Sequence, residues 1–297
     1  MRSIMNLFQI IMIFLIFSFH LALCQNSNDW PNRVLITNDN GIEDIKIIEL
    51  AKAFSKISET YVVAPNSDKS GSTNYLEAIR SGKVEVNKVN ISNDIKAYSV
   101  DGYPADCVVL ALAGIMKDNP PDLVISGING GPNLGADWLG SGTVGAARIA
   151  SFAGIPAIAV SGLKSDIPGS IEAATKWVVR FSQSPIVRDL KPPAYLTISI
   201  PRISPAEIKG IQVADRSGLQ EIPIFEKIEN TNENEQKEIW QIKGVKTLSN
   251  IPHNKSDVPI YESGYIVIVP MLAQEVDYQS LETLKNKINS IPMWKSE

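Results

Sequence analysis

Three polar clusters in this chain carry oxygen donors at the spacing of tight turns. They are Asn38-Asp39-Asn40-Gly41, the loop Asn66 to Asn74 that holds Ser70, and Gly127-Ile128-Asn129-Gly130-Gly131-Pro132-Asn133-Leu134-Gly135. A fourth, Gly140-Ser141-Gly142-Thr143, opens a small-residue stretch from Val144 to Ala153 that reads as a helix. Asp39, Asn40, Ser70, Asn129 and Asn133 are all hard oxygen ligands, suited to Mg²⁺, Mn²⁺ or Ca²⁺ rather than to zinc or copper. At the helix start, hydroxyls, backbone N–H groups and the partial positive charge of the helix N-terminus would converge on an anion. Taken singly, each cluster has a plainer reading. Asn38 to Gly41 is also an Asx-turn capping a helix, and a glycine turn is also an ordinary connection between strand and helix. The recurrence of polar turns along the chain points instead to a site.

The rest of the inventory narrows the chemistry. The chain has 297 residues, is 44% hydrophobic and 20% charged, and carries a net charge of −4. That composition suits a globular protein with a sizeable core and excludes a broad basic surface for DNA or RNA duplexes. Arg2, the apolar run Ile10 to Phe19 and Ala22-Leu23-Cys24 have the pattern of a secretory leader, with cleavage expected before Gln25. The expected location is therefore secreted or periplasmic, with no membrane contact after cleavage. Cleavage would remove His20 and Cys24, one of the two histidines and one of the two cysteines, leaving His253 and Cys107. An intramolecular disulfide and a His-rich zinc site are then ruled out. The chemistry must rest on carboxylates, amides and hydroxyls, with or without a hard cation.

These groups need elements to hold them. Arg33 to Thr37, Tyr61 to Ala64, Leu123 to Ile125, Ala157 to Val160 and Tyr195 to Ile200 read as buried strands. Between them, Ile42 to Phe54, Ala105 to Met116, Val144 to Ala153 and Ile171 to Phe181 read as helices, and Lys83 to Val100 as one or two irregular strands. The alternation predicts right-handed βαβ units, a doubly wound α/β fold with a mostly parallel sheet. Ligands in such folds bind beyond the carboxyl ends of the strands, where the polar turns fall. From Pro192 onward the pattern becomes β-rich. Ile211 to Val245 alternates weakly around a polar run, Glu229 to Glu238, expected to be a solvated hairpin tip, followed by a strand at Tyr265 to Pro270 and a helix at Ser280 to Ile288. The predicted organisation is a leader over 1–24 and one domain over 25–297, with its α/β core at about 33–190 and its β-rich extension at about 191–297.

Five spaced motifs carry a resemblance to a known family. They are Asn38-Asp39-Asn40-Gly41, Ala64-Pro65 with Ser70-Gly71, Gly102-Tyr103-Pro104-Ala105-Asp106-Cys107, Ser126 to Asn129 with Gly131 to Gly135, and Ser141-Gly142-Thr143-Val144. In this order the chain resembles SurE, the metal-dependent 5′/3′-nucleotidases also described as acid phosphatases, from Arg33 to about Leu284. The resemblance implies a Rossmann-like core with a C-terminal hairpin exchanged within dimers or tetramers. It implies one divalent cation per subunit, Mg²⁺ or Mn²⁺, held by Asp39, Asn40, Ser70 and Asn129. Asn133, Ser141, Gly142 and Thr143 would then hold the substrate phosphate, and Asp39 would be the catalytic group, aligning a water or attacking directly; the residues leave both routes open. The implied activity is removal of phosphate from nucleoside monophosphates or other small phosphate esters. Elementary chemistry is consistent with this: a phosphomonoester needs its charge neutralised and a nucleophile aligned behind phosphorus. One position departs from the family pattern, which reads Asn-Asp-Asp-Gly where this chain has Asn40. The site loses one formal negative charge, which leaves open a nucleotide- or phosphate-binding protein without turnover.

Overall fold

The computed structural model describes residues 30–217, 220–228, 238–249 and 255–286. The leader, His253 and most of the run Glu229 to Glu238 lie outside the described residues. In chain order the elements are β1 (Arg33–Thr37), α1 (Ile45–Phe54), β2 (Glu59–Pro65), α2 (Glu77–Ser81), β3 (Val86–Val89), β4 (Ile95–Val100), α3 (Pro104–Leu110), β5 (Leu123–Ser126) and α4 (Gly142–Phe152). They continue as β6 (Ala157–Ser161), α5 (Ser170–Ser182), α6 (Pro185–Arg188), β7 (Ala194–Ser199), β8 (Ile211–Val213), β9 (Gln220–Ile228), β10 (Ile239–Ser249), α7 (Asp257–Glu262), β11 (Ile266–Leu272) and α8 (Tyr278–Asn286).

Nine strands form one sheet in the order β3-β4-β2-β1-β5-β6-β7-β11-β8. From β4 to β7 every neighbouring pair is parallel; β3 and β11 join antiparallel. The chain winds from β1 outward through β2 and β4, then returns to β5 on the other side and winds through β6 and β7. The reversal therefore falls between β1 and β5, paired with Thr37 opposite Ser126. The expected doubly wound, mostly parallel sheet and C-terminal hairpin are both present, the hairpin as the separate antiparallel pair β9–β10.

The apolar strand runs are buried on both faces because helices cover both. In β1, Val34 and Ile36 pack with Leu50, Phe54 and Val178 from α1 and α5. Leu35 between them packs on the opposite face with Val108 and Ala147 from α3 and α4. Each such fully buried aliphatic side chain is worth roughly 1.5–3 kcal/mol. Two boundaries differ from the sequence expectation. The helix predicted over Ala105 to Met116 ends at Leu110 and continues as a wider π-turn over Ala111–Ile115. The helix expected from Val144 begins at Gly142, with Ser141 as its N-cap: the Ser141 hydroxyl oxygen accepts from the Val144 N–H at 3.1 Å. A hydroxyl cap satisfies one of the orphan donors of the first turn.

Candidate active site at the switch point

The loop after β1 folds around Asn38. Its amide donates to the Gly41 carbonyl at 2.8 Å and accepts from the Gly41 N–H at 3.2 Å. The Asx-turn is thus made by Asn38, and Asp39 and Asn40 are left to face elsewhere. Asp39 is only 2% exposed. Its two carboxylate oxygens accept from one residue: Oδ1 from the Thr143 hydroxyl at 2.8 Å and Oδ2 from the Thr143 N–H at 3.2 Å. The catalytic candidate is therefore docked on the first turn of α4. Burial pushes its carboxyl above the usual carboxylate range; the Thr143 hydrogen bonds oppose that shift, and the charge of Asp68 adds to it.

The loop after β2 lies over the same helix end. The Lys69 N–H donates to the Asp39 carbonyl at 2.7 Å, and the Thr73 N–H to the Gly140 carbonyl at 3.1 Å. This close approach explains the glycines of α4. A Cβ at Gly145 would stand 2.1 Å from the Thr73 carbonyl oxygen, and one at Gly142 would stand 2.6 Å from the Ser72 hydroxyl and 3.1 Å from the Asp39 Cβ. Ser70 sits on the rim, its hydroxyl donating to Asp68 at 2.6 Å. In the loop after β5, Gly127 turns with φ +139°, where a Cβ would strike the Val160 carbonyl oxygen at 2.3 Å. Beyond it, the Asn129 amide donates to the Gly131 carbonyl at 2.9 Å, leaving Oδ1 as its group for a ligand. The Asn133 amide donates to the Ser161 hydroxyl at 2.6 Å.

Asp39, Ser70, Asn129, Asn133 and Ser141 line one open cleft of about 370 Å³. Gly142 and Thr143 stand behind it: Thr143 is fully buried with both its donors on Asp39. Asn40 is half-buried beside Asp39, and its side-chain oxygen is buried without a hydrogen-bond partner. Asp137, which the sequence reading passed over, also borders the cleft; its signal was a carboxylate between the two glycine turns. A larger cavity, of about 610 Å³ between α1 and α5, lies elsewhere. Two of its three lysines are matched by neighbouring acids, Lys52 with Glu49 and Lys176 with Glu172, and none of the polar turns that hold the candidate residues reaches it.

The donor set fits a hard divalent cation. Among the described residues there is no group of three or more His, Cys, Asp or Glu side chains placed to hold a metal. A cation at this cleft would therefore be held by one carboxylate together with amide and hydroxyl oxygens. Asn40 Oδ1 is the kind of buried acceptor that such an ion would satisfy.

A doubly wound sheet with an oxygen-lined cleft and a hydroxyl-capped helix end at its switch point defines an α/β protein with a polar cleft beyond the carboxyl ends of its strands, the place where such folds bind ligands. Residues 34–221 match the family described as Survival protein SurE. The 5′-nucleotidase SurE of Alkaliphilus metalliredigens is 35% identical over 257 residues, covering 86% of this chain and 98% of the relative. That of Clostridium beijerinckii is 36% identical over 255 residues, covering 84% and 96%. The crystal structure of the SurE protein from Aquifex aeolicus superposes with a TM-score of 0.71 at 29% identity, covering 86% of this chain and 98% of that one. The chain belongs to the SurE family.

Proposed function

We propose that this protein is an exported phosphomonoesterase that removes phosphate from nucleoside monophosphates, 5′ and 3′, with one Mg²⁺ or Mn²⁺ per subunit. Relatives matched over nearly their whole length are named 5′-nucleotidases, which supports a hydrolase of phosphoric monoesters. The observation that carries the reading is the buried Asp39 carboxylate, fixed on the first turn of α4 and facing Asn133 and Ser141 across one cleft. Asp39, Asn40, Ser70 and Asn129 would hold the cation, which would neutralise phosphate charge and lower the pKa of a bound water. Asn133, through its amide, and Ser141, through its hydroxyl hydrogen, donate to the phosphate oxygens. Thr143 holds Asp39 with both oxygens anchored, so the carboxylate enters the reaction already oriented. With the Thr143 donors on Asp39 and the Val144 N–H on the Ser141 oxygen, it is the Ser141 hydroxyl hydrogen and the Asn133 amide that favour a phosphate dianion over neutral esters.

Export is supported by the leader pattern of residues 1–24. Assembly as a homodimer or homotetramer is supported by the apolar residues that the hairpin leaves exposed, including Phe225, Trp240 and Ile242. The test is a turnover assay on the chain beginning at Gln25. It uses a panel of 5′- and 3′-nucleoside monophosphates and p-nitrophenyl phosphate, with Mn²⁺, with Mg²⁺ and with EDTA. Metal-dependent phosphate release supports the proposal. Nucleotide binding without release would instead identify a binding protein in which Asn40 has silenced the chemistry. Mass spectrometry of the exported N-terminus and sedimentation of the purified protein test the other two parts.

A further inference from the structure

One buried ion pair has no part in the chemistry derived above, yet it touches the cleft wall. Arg216 lies after β8 and Asp257 opens α7, one on each side of the hairpin β9–β10 in sequence. Arg216 Nη1 donates to an Asp257 carboxylate oxygen at 2.9 Å, and Asp257 is fully buried. The same Nη1 donates to the Asn133 carbonyl at 2.7 Å, and Nη2 donates to the Thr197 hydroxyl at 2.6 Å. Asp257 in turn accepts from the N–H groups of Gly135 at 3.0 Å, Ser217 at 2.8 Å and Val258 at 2.9 Å. The pair thus grips the turn Asn133 to Gly135 at both ends, through one carbonyl and one N–H.

Placing two charges at this depth is not required for stability, since buried ion pairs are often replaceable by apolar residues without loss. What this pair supplies is two directional contacts to the backbone of the turn, one to the carbonyl of Asn133, whose side chain lines the cleft, and one to the N–H of Gly135. A guanidinium can hold the carbonyl, the carboxylate and the hydroxyl in one plane; an ammonium cannot. The backbone of the turn sets where the Asn133 amide donors stand relative to Ser141 at the far side of the cleft.

We infer that Arg216 and Asp257 are positioning residues: they fix the Asn133 to Gly135 turn so that Asn133 meets the substrate phosphate. The inference rests on the proposed function in taking Asn133 as a phosphate donor. It separates from the metal ligands, because Asp39, Asn40, Ser70 and Asn129 lie in other turns or on the far side of Gly131. Arg216→Lys keeps the charge and loses the fork. It should raise KM for the nucleotide, and the inhibition constant of inorganic phosphate with it, by roughly tenfold or more. The turnover number should stay within about a factor of two, since a binding interaction common to ground and transition states is lost. The Mn²⁺ concentration for half-maximal rate should not move. Thr197→Val, which leaves the ion pair intact and removes one prop, should give the same pattern at smaller size and guards against a variant that fails to fold.

A merely structural role would give a different signature: a lower melting temperature and a lower turnover number from fewer active molecules, with KM and the phosphate constant unchanged. That result in a folded Arg216→Lys or Thr197→Val protein overturns the inference. If the native protein shows no turnover on any ester, the proposed activity fails, and the same comparison is read from calorimetric titration with inorganic phosphate. Phosphate affinity weakened in Arg216→Lys then upholds the positioning role. Absence of phosphate binding in the native protein overturns both.

Discussion

Two carboxylates stand at opposite ends of the same pair of strands, and their surroundings could hardly differ more. At the carboxyl end of β1, Asp39 is buried, receives only neutral donors from Thr143, and is held above the usual carboxylate range by burial. At the amino end, Glu59 at the start of β2 is partly exposed. Its oxygens accept from Lys96 at 2.6 Å and from Arg33 at 2.7 Å, which hold its carboxyl down at about 2. Glu59 has its cations within the chain. Asp39 has none, and the nearby Asp68 makes its charge harder to carry. A structural acid is neutralised by its own protein; an acid buried without a cation, beside an unpartnered Asn40 oxygen, is arranged for a charge that arrives from outside.

Replacing the site acid should have the largest effect. Asp39→Asn leaves the four proposed ligands with no anion, and an amide cannot accept from both Thr143 donors at once. Metal-dependent turnover is expected to drop by at least about a thousandfold even at high Mn²⁺, with the circular dichroism spectrum retained. A variant that kept most of its rate would place the chemistry elsewhere and dissolve the contrast between the two ends.

Next in size is Thr143→Val. It is close to isosteric, keeps the backbone N–H on Asp39 and deletes the hydroxyl donor at 2.8 Å. The expected loss is roughly 1–3 kcal/mol in transition-state stabilisation. The sequence pattern suggests a direct hydroxyl contact to phosphate, whereas in the structure the hydroxyl serves Asp39. The two roles separate kinetically: a loss through Asp39 raises the Mn²⁺ requirement, while a lost phosphate contact raises the inhibition constant of inorganic phosphate. A smaller change is expected from Asn40→Asp, which restores the acidic pair usual in the resemblance. Affinity of oxygen sites for divalent ions follows the number of charged ligands, so half-saturation by Mn²⁺ should come at roughly tenfold lower concentration. Equal metal requirements in the two proteins would remove Asn40 from the ligand set.

Much of this arrangement could be read from the chain before the fold was seen. The strand runs are apolar throughout because both faces are covered, and that makes β1, β2, β5, β6 and β7 legible; the polar turns after them then locate the cleft by topology alone. Less legible were features that depend on contacts distant in sequence. Thr143 reads as a donor to an anion, but which anion depends on the loop after β1 lying against α4, 104 residues away. Arg216 and Asp257, 41 residues apart, carry no local motif that ties them to Asn133. The motif Gly102 to Cys107 resembles a functional signature, yet its acid is occupied structurally. Asp106 accepts from the N–H groups of Tyr103, Glu77 and Ala78, so it fastens α2 to the start of α3. Side-chain type shows what a residue can do; only the partners show which of its capacities is used.

The smallest effect belongs to the other end of the sheet. Glu59→Gln removes the charge that pairs with Arg33 and Lys96. The Glu59 side chain is 39% exposed, so solvent and salt screen the pair, and its loss should cost no more than about 1 kcal/mol. The sign follows from a folded-state value held at about 2, below the 4.5 of a free glutamate side chain. The stabilisation is therefore complete above about pH 4.5 and is lost as the pH falls through about 2. Melting curves of the native protein and Glu59→Gln should differ by a constant small amount at neutral pH and converge in acid, and added salt should narrow the gap. Turnover at neutral pH should be unchanged, because Glu59 lies at the far end of the strands from the cleft. A Glu59→Gln protein that lost activity while keeping its fold would show that the two ends of the sheet are coupled, and that the division between a structural acid and a chemical one does not hold.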